Sequence, residues 1–383
     1  MSRTEPDEQR VSAPLWALLF AVCALITGGL GVAKLIEQRD HPPAYFQKPA
    51  HQYEGYVAID DYGRRAGGAR DVLAGEPGAA AEFRQMLLEG LHPATFLIPF
   101  AVGATALVTG SVVWSFAGLA FLASLGTALL AGRLARRIWP GGGAAVFWLA
   151  ACLTIGHLLT VRTSAQILMD PFCSLWTLGF VGLLMRWRER PGRGQELAMV
   201  ALLITGLWIK ISLAPLCGLP FLVRLLGGPR RPLELARTIA VFCGIPVLAW
   251  LATLYAIGAF DRILVDAEDQ FSQFNYTGNF MGRFGQEMVL LFQVAPLLLL
   301  LRAPKAQERA AARTVALTLA VILLATWGFK FPPIARLYLP LVGLQAVIVA
   351  PRLVASVKAP VLITLVTLWL AVNYALAAWL TYG

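Results

Sequence analysis

The chain has 383 residues, of which 58% are hydrophobic and only 14% charged, with five cysteines and a formal net charge of +10. A soluble domain of this length has too little interior to bury so much apolar surface, and so few cysteines exclude a small disulfide scaffold. The apolar content also excludes a disordered chain. Apolar runs close to bilayer length recur throughout the sequence, so we predict an all-α polytopic membrane protein.

The first ten residues are polar, and we expect residues 1–13 to form a cytoplasmic N-terminus. The first long apolar run then extends from about Pro14 to Leu35. It is too long for the apolar part of a signal peptide, so we expect a first transmembrane helix that stays in place. A loop of residues 36–95 follows. Within it, Ala79–Leu91 has apolar residues at helical spacing and predicts an amphipathic helix on the membrane surface.

Basic residues cluster in five short loops, at residues 133–137, 186–193, 224–237, 302–313 and 352–358. Short basic loops are typically cytoplasmic, because Lys and Arg are retained on that side. The acids concentrate instead in residues 37–89 and 261–287, which we therefore place outside, within two large loops at 36–95 and 259–287. The positive charge thus indicates membrane orientation, and we expect no nucleic-acid partner.

The orientation of the loops constrains the apolar run Phe96–Val113, which lies between two points predicted to be outside. It cannot cross the membrane once, so we predict a re-entrant or interfacial segment. Residues 197–223 lie between two basic loops and predict two short helices that meet near Lys210. Altogether we predict about eleven crossings. The remaining predicted spans are Phe116–Ala135, Gly143–Val161, Pro171–Leu184, Thr238–Gly258, Met288–Leu301, Thr314–Phe329, Tyr338–Val349 and Leu362–Trp379.

Common cofactor motifs are missing from the sequence. The cysteines form no CxxC pair, and the four histidines have no HxxxH or HExxH spacing, so a structural zinc site is not expected. There is no phosphate-binding P-loop and no GxGxxG after a strand, so ATP-driven transport has no support.

Two acidic features on the predicted outer side are candidates for chemistry. The pair Asp60-Asp61 is either a solvated turn or a general base with an orienting or metal-binding neighbour, and nearby Tyr62 would help to desolvate it. Asp170 precedes Pro171 at a predicted helix start, where an Asp often serves as the N-cap. An ionisable side chain at membrane depth is also a functional candidate, and the two roles are compatible.

Several isolated cations share the same predicted side. Each on its own is consistent with a snorkelling anchor, whereas a group of them suits a phosphate-bearing lipid headgroup. The candidate phosphate ligands are Lys210, Lys330, Arg336, Arg162 and Arg283.

In this order, these motifs resemble the GT-C glycosyltransferases, which are integral-membrane enzymes, and in particular the branch of protein O-mannosyltransferases and the aminoarabinose transferase of lipid A. The matching segments are Asp60-Asp61, His92-Pro93-Ala94-Thr95-Phe96, Leu134-Ala135-Arg136-Arg137, Met169-Asp170-Pro171, Thr205–Lys210, and Lys330 with Arg336-Leu337-Tyr338-Leu339-Pro340. The chain departs from that pattern at Asp61, where Glu is more usual, at Ala94 and at Ile209. The resemblance covers most of residues 14–345, and we take 14–351 as a GT-C-like catalytic domain, followed by a C-terminal loop and last helix at 352–383.

The resemblance implies inverting transfer of a sugar from a polyprenyl-phosphate donor to a hydroxyl of a lipid, glycan or protein acceptor. Asp60 would act as the base, with Asp61 and Asp170 beside it in the catalytic site. The cations would bind the donor phosphate, and Tyr62, His92 and Tyr338 would bind substrate. A metal is not obligatory, although Asp60, Asp61 or Asp170 would be its ligands if one binds. The Ala/Arg/Gly-rich composition suggests a bacterium. We therefore expect an inner-membrane protein with its active site facing the periplasm or exterior and with membrane lipids as neighbours.

Two other functions remain open from the sequence. A transporter or flippase for a lipid or small anion would use the same outer cations, although no paired repeat halves are evident. A non-catalytic assembly subunit on a similar scaffold would bind a prenyl-phosphate sugar without converting it.

Overall fold

A computed structural model of the chain describes residues 5–40, 52–53, 56–57, 62–89, 94–164, 168–227, 231–261, 289, 291–293, 295–298, 301, 304, 309–328 and 339–382. Its regular structure is helical apart from one short antiparallel pair, Gln52–Tyr53 (β1) and Tyr56–Val57 (β2), in which Gln52 lies opposite Val57.

The first half of the chain forms nine helices among the described residues. They are α1 Glu5–Asp40, α2 Tyr62–Ala74, α3 Ala79–Glu89, α4 Leu97–Thr109, α5 Val112–Ile138, α6 Gly143–Ile155, α7 Leu158–Thr163, α8 Asp170–Glu189 and α9 Arg193–Ile209. A 3-10 turn at Pro140–Gly142 joins α5 to α6.

The second half continues with a 3-10 helix and then further helices, within the same described residues. After the 3-10 helix Ile211–Gly218 come α10 Leu219–Gly227, α11 Pro232–Ile239, a π-helical turn Ala240–Gly244, α12 Ile245–Ile257, α13 Ala295–Leu298, α14 Arg309–Gly328, α15 Leu339–Ser356 and α16 Ala359–Tyr382.

Five helical stretches in the described part are long and apolar enough to cross a membrane. They are Ala13–Glu37, Val112–Ile138, Pro232–Ile257, Leu339–Ser356 and Ala359–Trp379. Shorter apolar helices accompany them at Leu97–Thr109, Pro140–Ile155 and Ile211–Gly227. This composition is that of an all-α membrane protein, while the count of about eleven crossings stays a prediction.

The predicted span Gly143–Val161 is not one continuous helix, because the helix is interrupted after Ile155. Gly156 and His157 separate α6 from α7, and the Nδ1 atom of His157 accepts a 3.2 Å hydrogen bond from the backbone N–H of Leu159. A side-chain cap of this kind starts a new helix, since it satisfies a backbone donor that has no partner within the helix.

The segment Phe96–Val113, which was predicted not to cross the membrane once, is divided at Gly110. This glycine has a left-handed φ of 76°, which ends α4, and Ser111 then caps α5. At 1.5 Å per residue α4 is about 20 Å long, which is shorter than the roughly 30 Å hydrocarbon core of a bilayer. A short helix with a sharp reversal fits the predicted re-entrant or interfacial path.

The helices α2, α3 and α4 form a layer at one end of the bundle. The predicted helix in the first loop is present as α3, and its apolar residues Phe83 and Leu87 are buried against α2 and α4. The rings of Phe83 and Phe100 lie 5.0 Å apart. A side chain at Gly103 would come within 2.7 Å of the Arg70 backbone, so α2 and α4 cross in direct contact.

Three of the basic loops lie together at the other end of the bundle. Arg137 at the end of α5 pairs with Glu189 at the end of α8, and Arg237 of α11 pairs with Glu196 of α9, each at 2.5 Å. The predicted inner loops at residues 133–137, 186–193 and 224–237 therefore share one face. Along the 20 residues of α8, Asp170 lies about 28 Å from Glu189.

The centre of the bundle is built from α5, α6, α8 and α15. The helix α15 packs against the other three, and its Gly343 allows Leu178 of α8 to approach closely. Buried residues of α5, α8 and α15 form one large apolar cluster that also includes Tyr62, Met169, Cys173 and Ile209, whereas α6 belongs to a second cluster. The sequence candidates Asp170 and Lys210 directly follow Met169 and Ile209, so the fold carries both of them to the first cluster.

Candidate functional site

Asp170 is the first residue of α8 and is only 3% exposed. The N-cap position belongs to Met169, which makes no side-chain cap, so the prediction of Asp170 as the N-cap residue is wrong by one position. Pro171 follows in the first turn, where its missing N–H costs nothing. The carboxylate lies in the first turn of α8, at the positive end of the helix dipole.

Lys210 lies where α9 stops. The residue has an extended backbone (φ −162°, ψ 130°), and its N–H still donates a 2.9 Å bond to the Gly206 carbonyl. The chain then turns into the 3-10 helix Ile211–Gly218, so the predicted break near Lys210 is confirmed. The residue is 9% exposed, which is unusual for a lysine.

The Lys210 Nζ atom donates a 3.0 Å hydrogen bond to Oδ1 of Asp170, across 40 residues of sequence. Removing two opposite charges from water is expensive, and an apolar pair of similar volume is often equally stable. Stability alone therefore does not explain why this pair is present, and a charged pair inside an apolar bundle marks a functional candidate.

The close crossing of α8 and α9 determines where the pair forms. The indole N–H of Trp176 donates a 2.7 Å bond to the Leu202 carbonyl, and a side chain at Gly206 would lie 2.4 Å from the Trp176 ring. Trp176 is six residues after Asp170, and Gly206 is four residues before Lys210. The two antiparallel helices therefore hold the Asp170 carboxylate and the Lys210 ammonium at the same height along the bundle.

Tyr62 is the described residue that connects this pair to the predicted catalytic acids. It is buried at the start of α2 and lies within electrostatic range of the Lys210 ammonium. Cys173, one turn after Asp170, lies within range of the same ammonium. Asp60 and Asp61, which directly precede Tyr62 in the chain, lie outside the described residues.

A buried arginine links two of the sequence motifs, and sequence reasoning missed it. Arg65 on α2 is 2% exposed, and its Nη1 donates to the Thr95 hydroxyl at 2.7 Å and to the Thr95 carbonyl at 3.4 Å. Thr95 belongs to the His92–Phe96 motif, so this contact joins that motif to the helix that follows Asp60-Asp61. The signal available in the sequence was a pair of arginines, Arg64-Arg65, within an otherwise acidic predicted outer loop.

Arg162, a predicted phosphate ligand, does not lie at the Asp170–Lys210 pair. It lies on α7, is partly buried, and is within electrostatic range of Lys34 near the end of α1. The helix α7 packs mainly against α1, α15 and α16, whereas Lys210 lies at the junction of α9 with α8. Arg162 and Lys34 thus form a second cationic position, which is distinct from the Asp170–Lys210 pair.

The remaining predicted site residues lie outside the part of the chain that the structure describes. They are Asp60, Asp61, His92, Arg283, Lys330, Arg336 and Tyr338. Among the described residues no group of three or more His, Cys, Asp or Glu side chains comes together as a metal site would require. A metal role for Asp60, Asp61 or Asp170 stays a prediction.

Comparison with other proteins does not identify the chain. No protein-family model, curated protein or solved structure matches it. Function must therefore be inferred from the site itself. The described part of that site is a buried ammonium held by one carboxylate, a buried tyrosine within electrostatic range of it, and the hydrogen bonds from Arg65 to Thr95.

Proposed function

We propose that the chain is a membrane glycosyltransferase of the GT-C type, with about eleven transmembrane crossings and an extracytoplasmic active site in a bacterial inner membrane. It transfers a sugar from a polyprenyl-phosphate donor to a hydroxyl acceptor. The observation that supports this proposal most strongly is the buried Asp170–Lys210 pair beside Tyr62, at the end of the bundle opposite the basic loops.

Lys210 suits the phosphate of the donor because an ammonium has three N–H donors and carries the charge that a lipid phosphate needs. The Asp170 carboxylate accepts a 3.0 Å hydrogen bond from one of those N–H groups. Asp170 thereby orients the ammonium before the donor binds. Such preorganisation matters most where charge develops in the transition state, here on the departing phosphate.

In the proposed reaction, Asp60 accepts the proton of the acceptor hydroxyl while that oxygen attacks the anomeric carbon. The bond between the anomeric carbon and the phosphate oxygen breaks, and the lipid phosphate leaves with the electron pair. Attack from the face opposite the leaving group inverts the anomeric carbon, through a transition state with oxocarbenium character. Asp61 assists as a neighbouring carboxylate, and Lys330, Arg336 and Arg283 join Lys210 in binding the phosphate.

The proposed substrate groove has the Tyr62 end of α2 on one side. Arg65 and Thr95 stabilise the connection between α2 and the His92 motif, so that Tyr62, His92 and Tyr338 bind the sugar and acceptor. No cofactor is needed, because a lipid phosphate is already a fair leaving group. A divalent metal at Asp60, Asp61 or Asp170 would assist by neutralising negative charge.

The direct test uses the full-length protein in lipid nanodiscs with a panel of polyprenyl-phosphate hexoses and pentoses and a hydroxyl-rich membrane extract. The readout is free polyprenyl phosphate, measured by mass spectrometry. Asp60→Asn should lower the rate by about 10²–10⁴, the usual contribution of a positioned general base, while leaving donor binding intact.

Asp71→Asn is the matched control, since Asp71 is a partly exposed acid of α2 that pairs with its neighbour Arg70. It should release polyprenyl phosphate at the wild-type rate. Full activity in Asp60→Asn would remove Asp60 as the base. Movement of intact donor across proteoliposomes, with no release from any donor of the panel, would favour the flippase instead.

A further inference from the structure

A cavity of about 410 Å³ lies between α15 and α16, and Leu153 of α6 and Leu298 of α13 also line it. One stripe of α15 lines it, with side chains at helical spacing from Val342 to Leu353. A matching stripe of α16 runs from Leu362 to Trp369 on the opposite wall. The cavity therefore follows two antiparallel helices over about 16 Å, the rise of α15 between Val342 and Leu353.

One end of this cavity is polar, and its groups are mostly paired with one another. Gln293 accepts a 2.8 Å bond from the Trp369 indole N–H and donates a 2.9 Å bond to Asn373. His157 Nε2 lies 3.0 Å from the Leu291 carbonyl and, since its Nδ1 is an acceptor, donates to it. The opposite end, at Leu353, is apolar.

Two amide donors near this end have no hydrogen-bond partner among the described residues, Asn373 Nδ2 and Gln345 Nε2. Gln345 lines the cavity and is 8% exposed, but its Nε2 atom is enclosed by the protein. This donor therefore does not open into the cavity.

The cavity is separate from the Asp170–Lys210 pair. On α15 its stripe includes Val342 and Ala346, whereas Gly343, about 100° around the helix, faces Leu178 of α8. The other wall, α16, bears the exposed Leu365, which is 53% accessible and also lines the cavity. The cavity thus opens laterally, toward the surface that a bilayer would cover.

We propose that this cavity holds one acyl chain of a membrane glycerolipid, which enters through the lateral opening and lies along the apolar stripes of α15 and α16. The lining named here is uncharged, which suits a neutral ester linkage and excludes a buried phosphate. With about 30 Å³ for a water-sized group such as a methylene, the cavity admits on the order of fourteen of them. That matches one fatty chain and is far short of a polyprenyl tail, so the proposal stands independently of the glycosyltransferase proposal.

The test uses the full-length protein in nanodiscs containing a phosphatidylcholine with a photoreactive diazirine in the middle of one acyl chain. After illumination, peptide mapping should locate the adduct on Val349, Leu353 or Val366. Ala346→Trp places an indole in the cavity and should abolish that adduct.

Leu368→Trp is the matched control, because Leu368 is an exposed residue of α16 that does not line the cavity. It should retain the adduct. Equal labelling in Ala346→Trp and Leu368→Trp would overturn the proposal, as would preferential labelling of the same peptides by a diazirine-bearing polyprenyl phosphate. If Ala346→Trp does not fold, Val366→Trp fills the cavity from the other wall.

In wild-type protein, competition decides between the lipids: excess unlabelled phosphatidylglycerol should suppress the adduct, and suppression by undecaprenyl phosphate alone would refute the acyl-chain assignment.

Discussion

Lys210 donates a 3.0 Å hydrogen bond to Asp170, and the two side chains are buried where α9 ends and α8 begins. This relationship connects the packing of the bundle to its proposed chemistry. The helices must cross closely for the two charges to meet, and in the proposed reaction the Lys210 ammonium then binds the donor phosphate.

Removing one charge of the Asp170–Lys210 pair should destabilise the protein more than removing both charges. Lys210→Met leaves a buried carboxylate without its partner and should lower the free energy of unfolding by about 3–5 kcal/mol. The double variant Asp170→Leu with Lys210→Met should recover most of that loss, because no buried charge remains. Thermal unfolding of the purified protein in detergent measures both.

The exposed pair Arg137–Glu189 provides the control for this comparison, and Arg137→Gln should cost no more than about 1 kcal/mol. A double variant as unstable as Lys210→Met would show that the two charges do not depend on each other. Binding of undecaprenyl phosphate should be lost in both the single and the double variant, because both lack the ammonium.

The crossing of α8 and α9 should not tolerate a larger residue at Gly206. A Cβ there would lie 2.4 Å from the Trp176 ring, so Gly206→Val should destabilise the protein by roughly 1–3 kcal/mol and separate Lys210 from Asp170. Gly179→Ala on α8 is the matched control. Nothing lies within 4 Å of its Cβ position, so the helix should gain up to about 1 kcal/mol.

Denaturant or thermal unfolding, together with undecaprenyl phosphate binding, measures the effect of Gly206→Val. If the variant retained wild-type stability and binding, the close helix crossing would not be what positions the pair.

The contact between Arg65 and Thr95 should stabilise the layer of α2, α3 and α4. Thr95→Val removes the hydroxyl that accepts from the buried guanidinium at 2.7 Å and should cost about 1–3 kcal/mol. Amide hydrogen exchange should rise in α2. The comparison variant is Thr105→Val, since the hydroxyl of this exposed residue bonds only to the carbonyl of its own helix in the contacts described, and its exchange should stay at the wild-type level. Unchanged protection of α2 in Thr95→Val would argue against a structural role for this contact.

The orientation of the bundle can be tested by cysteine labelling in intact cells. The four native cysteines at 23, 152, 173 and 217 are buried, and the partly exposed Cys243 can be replaced by Ser. In that background, a membrane-impermeant maleimide should label Glu76→Cys directly and should label Arg190→Cys only after permeabilisation. The reverse pattern would place Asp170 on the cytoplasmic side and would refute an extracytoplasmic active site.

Much of the secondary structure could be predicted from hydropathy, charge and helix-ending residues. The break at Gly110, the helix at Ala79–Glu89 and the stop at Lys210 follow from local signals, because glycine, periodicity and an isolated charge act within a few residues. The interruption at His157 was missed, since its cap needs a side-chain bond that composition alone does not indicate.

The sequence by itself determined the class of protein, because apolar runs of bilayer length with basic loops between them admit few alternatives to a helical membrane bundle. It also indicated Asp170 and Lys210 one at a time, as charges that apolar surroundings make costly. Only the tertiary structure decided that these two meet, that Arg65 binds Thr95, and that α15 and α16 enclose a cavity. Those relationships depend on how separate helices pack, and no periodicity within one helix encodes the distance to another.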